Sequence, residues 1–310
     1  MEKQKGNWIQ RIMFLVSLAF FSWIISGFFT VYTGFDMPIT SGNVALIPIK
    51  GTIWGEESRD LFGSTISSST TINNFIKKAE ENPKIKAIIF EINSGGGSAV
   101  ASDEIASEVK KTTKPTVAWI REVGASGAYW IASATDHIIA NRMSVTGSIG
   151  VIASYLEFSR LLEHYNVTYQ RLIAGRYKDI GSPFKEMTDE EEDFFQEQLD
   201  LIHEFFIDEV AQNRNLSKEQ TEELATGMFY LGVQAKNLGL VDELGGKEEV
   251  INYLEKELNI TVEIAEYRQK RTFFDMITEI FKEQSFFVGK GIGAGITEKA
   301  ETDSGVRIRT

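Results

Sequence analysis

The 310-residue chain contains no cysteine and only three histidines, and both shortages exclude kinds of chemistry. Without cysteine there can be no disulfide, thiol nucleophile or thiolate metal ligand, and the redox compartment stays undetermined. Acidic residues outnumber basic ones, and the net charge of −12 argues against nucleic acid or an anionic membrane surface as the main partner. The glycine-rich segments also lack the Gly-Lys-Ser/Thr and Gly-x-Gly-x-x-Gly patterns of nucleotide-binding loops.

One long segment lacks charge altogether. Residues 12–35 are uncharged and mostly apolar, which is long enough for a helix to cross a membrane. Basic residues precede this segment and Asp36 follows it, so the positive-inside rule predicts that residues 1–11 are cytoplasmic and that the remainder of the chain is outside. A cleaved signal peptide is the alternative, but the apolar run is too long and no Ala-x-Ala-like site follows it. We therefore expect an uncleaved anchor at the cytoplasmic membrane.

Beyond a linker at 36–42, the apolar pattern predicts alternating strands and helices. Strands are expected at 44–49, 87–92, 116–120, 137–140, 167–173 and 262–266, and helices at 71–80, 99–112 and from 128. Pro48 suggests that the first strand lies at an edge or ends there. The alternation predicts an α/β domain with a mainly parallel sheet at 43–267. Residues 268–310 are expected to form a C-terminal helix, at 273–287, and a flexible tail.

A run of small residues, GASGAYWIAS at 124–133, places Ser126 where a strand meets a helix. The small neighbours leave room for a large substrate beside the Ser126 hydroxyl. Backbone N–H groups at the start of the following helix could stabilise an oxyanion. Tight packing between helices is the competing explanation for such a run.

A second glycine-rich segment, NSGGGS at 93–98, follows another predicted strand. In a parallel sheet the carboxyl ends of the strands share one edge, so this segment and Ser126 are expected at the same edge. Adjacent glycines expose backbone N–H groups, which suit an oxyanion hole or pairing with an extended peptide. A flexible turn is the simpler alternative.

A serine nucleophile needs a base, and the sequence alone leaves its identity open. His137, His164 and His203 lie in segments without a glycine-rich turn, although none is excluded. Lys178 lies in a loop punctuated by glycine and proline. A lysine acts as a base only where desolvation favours its neutral form. After this loop, Thr188 and Glu191 predict a capping box that begins an amphipathic helix, whose apolar stripe comprises Phe195, Leu199, Ile202, Phe206 and Val210.

Five motifs in order resemble the signal peptide peptidase A (SppA) family of membrane-anchored serine peptidases. The motifs are NSGGGSAVASDEIA, GASGAYWIASATDHIIAN, TGSIGVI, RYKDIGSPFKEMTDEE and GVQAKNLGLVDELGG, and the resemblance covers roughly residues 43–255. The length is similar to the short, single-repeat form of the family. The resemblance implies a ClpP/crotonase-like βα superhelix, in agreement with the predicted alternation.

The resemblance also implies roles for individual residues. Ser126 would be the nucleophile, Lys178 its general base and Ser148 the residue that orients the lysine. The oxyanion hole would be formed by backbone groups of Gly96, Gly97 and Gly127. This chain departs from the family at Gly95, where the usual residue is proline. A proline would make the turn more rigid, so the hole is expected to be more mobile here or to be held by other contacts.

The implied function is membrane-anchored cleavage of remnant signal peptides and other unfolded peptides at the outer face of the cytoplasmic membrane. No metal or nucleotide cofactor is implied. Family resemblance further implies a homo-oligomer in which neighbouring subunits complete each active site. Two alternatives remain from the sequence. A crotonase-type acyl-CoA enzyme is disfavoured because coenzyme A is not expected outside the membrane, and a catalytically silent scaffold would not react at Ser126.

Overall fold

A computed structural model describes residues 11–23, 41–56 and 66–268. Residues 11–23 form helix α1, in which every residue is exposed. Within the three described segments, no helix is both long enough and apolar enough to cross a membrane. The predicted anchor at 12–35 lies partly outside the described residues, and the predicted C-terminal helix at 273–287 lies entirely outside them.

Residues Pro38–Arg268 form one compact unit. Its strands are β1 (Val44–Trp54), β2 (Ile66–Ser68), β3 (Ala87–Gly97), β4 (Thr116–Ala125), β5 (His137–Ala140), β6 (Val145–Gly147), β7 (Phe229–Leu231), β8 (Glu243–Leu244) and β9 (Ile264–Glu266). Its helices are α2 (Ser69–Glu81), α3 (Ala99–Lys111), α4 (Gly127–Ser133), α5 (Ser159–His164), α6 (Asp189–Arg214), α7 (Lys218–Leu224), α8 (Gly232–Asn237) and α9 (Lys247–Leu258).

The strands form a mainly parallel sheet, as predicted. Its main path runs β2-β1-β3-β4-β5-β8, while β9 pairs with β1 and β6 pairs with β4. Only the β6–β7 pairing is antiparallel among the described strands. The central strands are longer than predicted, because β3 continues through the three glycines and β4 continues to Ala125. The additional residues bring the glycine-rich segments into the sheet itself.

Apolar residues cover both faces of the central strands, which explains their continuous hydrophobic runs. On one face, Ile47, Phe90 and Ala118 belong to a core that includes residues of α2, α3, α4 and α6. On the other face, Leu46, Ile89 and Trp119 pack in a cluster with Val250 and Leu254 of α9. These two layers fix the strands whose ends carry the candidate site.

The first strand does not lie at the edge that Pro48 suggested. β1 pairs with β3 along one side, and on its other side with β9 at Val44–Leu46 and with β2 at Thr52–Trp54. Pro48 falls between these two short partners, where that side of β1 has no paired strand in the described part of the chain. A residue without an N–H group therefore occupies a local gap in an internal strand.

The predicted strand at 167–173 is wrong. This stretch has no regular secondary structure and lies in a segment at 151–187, which we call the arm. No residue of the arm is buried. The arm's hydrogen bonds stay within it or reach the first turn of α6, among the residues that the structure describes. The β-branched and apolar pattern here has no strand partner among the residues that the structure describes.

The capping box at the start of α6 is confirmed and also attaches the arm. The Thr188 hydroxyl accepts from the Glu191 N–H, and the Glu191 carboxylate accepts from the Thr188 N–H. Lys185 of the arm donates to both Glu191 oxygens, at 2.6 and 2.7 Å. The Lys185 hydrogen bond, followed by that of the Thr188 N–H, lowers the pKa of Glu191. The carboxylate therefore stays ionised and holds the base of the arm.

Candidate active site

The candidate site lies where the carboxyl ends of β3, β4 and β6 meet. Ser94 on β3 aligns with Gly124 on β4, and Ala125 on β4 aligns with Gly147 on β6. Ser126 follows directly, between the NSGGGS segment and the TGS segment. The predicted meeting of the two glycine-rich segments at one edge of the sheet is confirmed.

Ser126 has an unusual backbone conformation. Its φ is 53° and its ψ is −129°, a region that residues with a Cβ rarely adopt. Such strain typically costs about 1–3 kcal/mol and persists only where the surroundings impose it. Here the Ser126 N–H donates to the Gly147 carbonyl at 2.8 Å, and the Ser126 carbonyl accepts from Tyr129 at 2.8 Å and Trp130 at 3.0 Å. These bonds hold the serine at the predicted strand-to-helix turn.

Gly96 allows the two glycine-rich segments to approach closely. Its φ is +98°, and a Cβ at this position would lie 2.8 Å from the Gly127 nitrogen and 3.0 Å from the Ser126 Cβ. The Gly96 N–H already donates to the Ser94 hydroxyl at 3.1 Å. In this arrangement Gly96 therefore supplies space rather than a free donor.

The amides of Gly97 and Gly127 are better placed to bind an oxyanion. The Ser98 N–H donates to the Ile53 carbonyl on β1 at 2.9 Å, and successive amides of a strand point in opposite directions. The Gly97 N–H therefore points away from β1, and its nitrogen is 3.5 Å from the position of a Cβ on Gly127. Gly127 begins α4, so its N–H has no acceptor within that helix. The two donors thus flank Ser126.

Substitution of Gly96 tests this close approach. We expect Gly96→Ala to lower kcat/KM for a peptide substrate about 100-fold, the loss typical of a disturbed oxyanion donor. The physical reason is that the new Cβ strains the backbone and pushes against the Gly127 nitrogen. Gly95→Ala is the matched control, because a Cβ at Gly95 meets nothing within 4 Å. Equal activity of the two variants, measured on folded proteins, would contradict this role.

Ser126 opens into a cavity of about 770 Å³. Gly97, Gly127 and Ser148 also line it, so the cavity contains the predicted nucleophile, the predicted lysine-orienting serine and two of the predicted oxyanion glycines. One wall is formed by Trp130 and Phe206, whose rings are stacked with their centroids 4.7 Å apart and an interplanar angle of 13°. A cavity of this size can accommodate several residues of an extended peptide.

Ser148 also has a left-handed backbone, with φ at 50°. Its N–H donates to the Met228 carbonyl at 2.9 Å, and its hydroxyl donates to the Gly227 carbonyl at 3.2 Å. These contacts fix Ser148 on the side of the cavity formed by β6 and the segment before β7. In this state its hydroxyl proton is directed to Gly227.

Lys178 does not line the Ser126 cavity. It lies on the arm, is exposed, and its side chain has no hydrogen-bond or ion-pair partner among the described residues. The single chain therefore supplies the predicted nucleophile in a formed cavity and the predicted base outside it.

The histidines are now distinguished by position. His137 aligns with Val117 near the start of β4, nine residues before Ser126 and hence roughly 30 Å away along the strand. Its ring stacks on that of Tyr253, with the ring centroids 4.0 Å apart. His164 lies exposed on α5. Neither histidine lines the Ser126 cavity.

His203, in contrast, lines the Ser126 cavity. Its Nε2 atom is buried and has no hydrogen-bond partner in the described part of the chain. Sequence reasoning left His203 open as one of three possible bases but did not place it near Ser126, although it lies on α6 between Ile202 and Phe206 of the apolar stripe. Part of that stripe lines the cavity and part of it belongs to the hydrophobic core. The helical spacing predicts an apolar face but does not tell which of its residues face a cavity.

Comparison with known proteins agrees with the motifs. A model described as peptidase family S49 matches residues 108–261. A Methanocaldococcus jannaschii protein, provisionally named a protease, is 34% identical over 73% of this chain and 71% of its own length. An Enterococcus faecium protein, provisionally named signal peptide peptidase SppA, is 34% identical over 74% of this chain and 68% of its own length. Among solved structures, a ClpP1 mutant from Listeria monocytogenes is 15% identical, with a TM-score of 0.45, over 66% of this chain and 92% of that one.

Proposed function

The chain belongs to peptidase family S49 as a serine endopeptidase of the SppA group, and on that basis we propose that it cleaves peptides with Ser126 as nucleophile and Lys178 as general base. The observation that carries the proposal is the environment of Ser126. A strained serine opens into a cavity beside two backbone amides, which supply the nucleophile and the oxyanion donors that acyl transfer requires in addition to a base.

The proposed mechanism has two stages. Neutral Lys178 accepts the Ser126 hydroxyl proton, and the Ser126 oxygen attacks the scissile carbonyl. The Gly97 and Gly127 N–H groups stabilise the oxyanion of the tetrahedral intermediate, and Lys178 then donates its proton to the leaving amine. Water, deprotonated by Lys178, hydrolyses the acyl-enzyme and restores the serine. Ser148 orients the lysine.

Lys178 and Ser126 are proposed to meet between subunits of a homo-oligomer. The arm that carries Lys178 exposes large apolar side chains, including Leu172 at 100% and Ile152 at 89%. Exposed apolar area of this kind favours association, since burial removes it from water. Docking of the arm against a neighbouring chain would also desolvate Lys178, the condition under which a lysine can act as a base. In the proposed assembly, each Ser126 cavity receives its lysine from an adjacent subunit.

We further propose that the uncharged segment at 12–35 anchors the protein in the cytoplasmic membrane with the catalytic domain outside. The basic residues before the segment support this orientation. Protease added to intact cells stripped of their wall should then digest the domain from residue 36 onward, while a cytoplasmic marker survives. Protection of the domain until the membrane is permeabilised would contradict this topology.

The proposed substrates are remnant signal peptides and other unfolded peptides. The full-length protein in detergent should cleave a synthetic signal peptide but leave the same sequence intact within a stably folded protein. The reason is that a substrate must be extended for its backbone to enter the Ser126 cavity. Failure to cleave any unfolded peptide would favour a catalytically silent scaffold, and equal cleavage of the folded protein would contradict the substrate class.

A further inference from the structure

A second groove adjoins the Ser126 cavity, between the first turn of α3 and the face of α6. Its volume is about 430 Å³. Ala99, Trp130 and Ile202 line both spaces, so the groove continues the cavity. Beyond these residues it is lined by Val100 and Phe205, which are 68% and 55% exposed. The described chain thus leaves an apolar channel that leads away from the nucleophile.

Carboxylates border this apolar groove. Asp103 of α3 and Asp208 and Glu209 of α6 are among its lining residues. Glu209 pairs with Lys110, and Asp208 lies 2.9 Å from Lys218, whereas Asp103 has no ion-pair partner among the described residues. Burial, and next the Glu209 carboxylate, raise the pKa of Asp103. A cation bound beside Asp103 would relieve this repulsion.

The acidic character extends along the whole of α6. Its sequence, DEEEDFFQEQLDLIHEFFIDEVAQNR, contains ten carboxylates and a single arginine at its last position. The same helix lines the Ser126 cavity through Asp200 and His203. A peptide that approaches the nucleophile along α6 therefore meets negative charge beside apolar surface.

We propose that this groove is a part of the peptide-binding cleft that selects substrates carrying a large apolar residue next to lysine or arginine. The inference deepens the proposed function and rests on it. The apolar side chain packs between Val100 and Phe205, while the basic side chain lies against Asp103 and Asp208. Charge complementarity favours a cationic peptide over a second acidic copy of this chain, whose net charge is −12.

A set of three peptides with the full-length protein tests this selection. The peptides share one apolar core and differ only in its flanking residues, which are lysine, glutamine or glutamate. We expect kcat/KM to be about tenfold higher for the lysine peptide than for the glutamine peptide, mainly through KM, and lowest for the glutamate peptide. Raising the salt concentration should reduce the preference, because salt screens exposed charges.

We expect the double substitution Asp103→Asn with Asp208→Asn to remove the preference for the lysine peptide. Both changes preserve side-chain shape, and Lys218 keeps Glu204 as a partner at 2.9 Å. The lysine-to-glutamine ratio should fall toward one. The matched control, Asp193→Asn with Glu197→Gln, removes two carboxylates from exposed positions of the same helix that do not line the groove. This control should retain the ratio.

The possible failures are distinguishable. A ratio that the groove variant leaves unchanged, or that the control lowers equally, overturns the inference while Ser126-dependent cleavage stands. A fall in oligomer mass in the groove variant, measured by light scattering, without a change in the ratio would assign the groove to a second copy of the chain and likewise overturn it. Absence of cleavage of all three peptides would remove the proposed function and, with it, the inference.

Discussion

Replacement of Lys178 by alanine is expected to lower kcat/KM at least about 1,000-fold, the loss typical of removing one member of a catalytic unit. Lys178→Arg should lower kcat/KM as strongly, because arginine does not release its proton near working pH. The wild-type rate should rise with pH and reach a plateau, since a lysine base acts only in its neutral form. The measurement is peptide hydrolysis across pH.

Because Lys178 is exposed in the single chain, neither substitution should unfold the domain. Unchanged thermal unfolding is therefore the control, and Lys84→Ala provides an exposed lysine distant from the site. Wild-type activity in Lys178→Ala would remove the lysine from the mechanism. His203, which lines the cavity, would then be the next base to test, in place of His137 at the other end of β4.

Mixed oligomers of Ser126→Ala and Lys178→Ala are expected to recover activity that neither protein has alone. If each site takes its serine from one subunit and its lysine from the next, random equal mixing leaves about a quarter of the sites with both groups intact. If both groups come from one chain, every site has a defect and no activity returns. Hydrolysis by the co-assembled mixture, compared with each variant, distinguishes the two cases.

The mixture must be shown to exchange subunits. Differently tagged variants that co-purify as one assembly provide this control. Mixed assemblies without activity would contradict the shared site and leave the serine–lysine pair within one chain to be tested. Recovered activity would explain why the arm exposes so much apolar surface, since the neighbouring subunit would cover it.

The sequence predicted the fold well where both faces of a strand are buried. The continuous apolar runs of β3 and β4 predicted strands in a parallel sheet, and the small residues around Ser126 predicted its turn. The prediction failed for residues 167–173, because a β-branched and apolar pattern favours an extended backbone but does not supply a neighbouring strand, and no strand pairs with this stretch in the described part of the chain. The edge position predicted from Pro48 was also wrong. A proline fits within an internal strand where one side of that strand is unpaired between two short partner strands.

The site was predictable as a set of motifs but not as a geometry. Spacing could place the glycines of NSGGGS at the sheet edge. It could not show that the Gly96 N–H donates a hydrogen bond to the Ser94 hydroxyl. Nor could it show that α6 turns His203 toward the cavity. The first feature depends on the local backbone conformation between two residues that are close in sequence. The second depends on how α6 packs against segments that are distant in sequence.

The central claim, that Ser126 is the nucleophile, is tested most directly by labelling the full-length protein with a serine-reactive acylating probe and locating the adduct by mass spectrometry. The account predicts a single adduct on the peptide that contains Ser126. Its formation should be faster at higher pH, slowed by an unfolded peptide substrate and nearly absent in Lys178→Ala. An adduct on a different serine, or no adduct on a protein that cleaves peptides, would contradict the account.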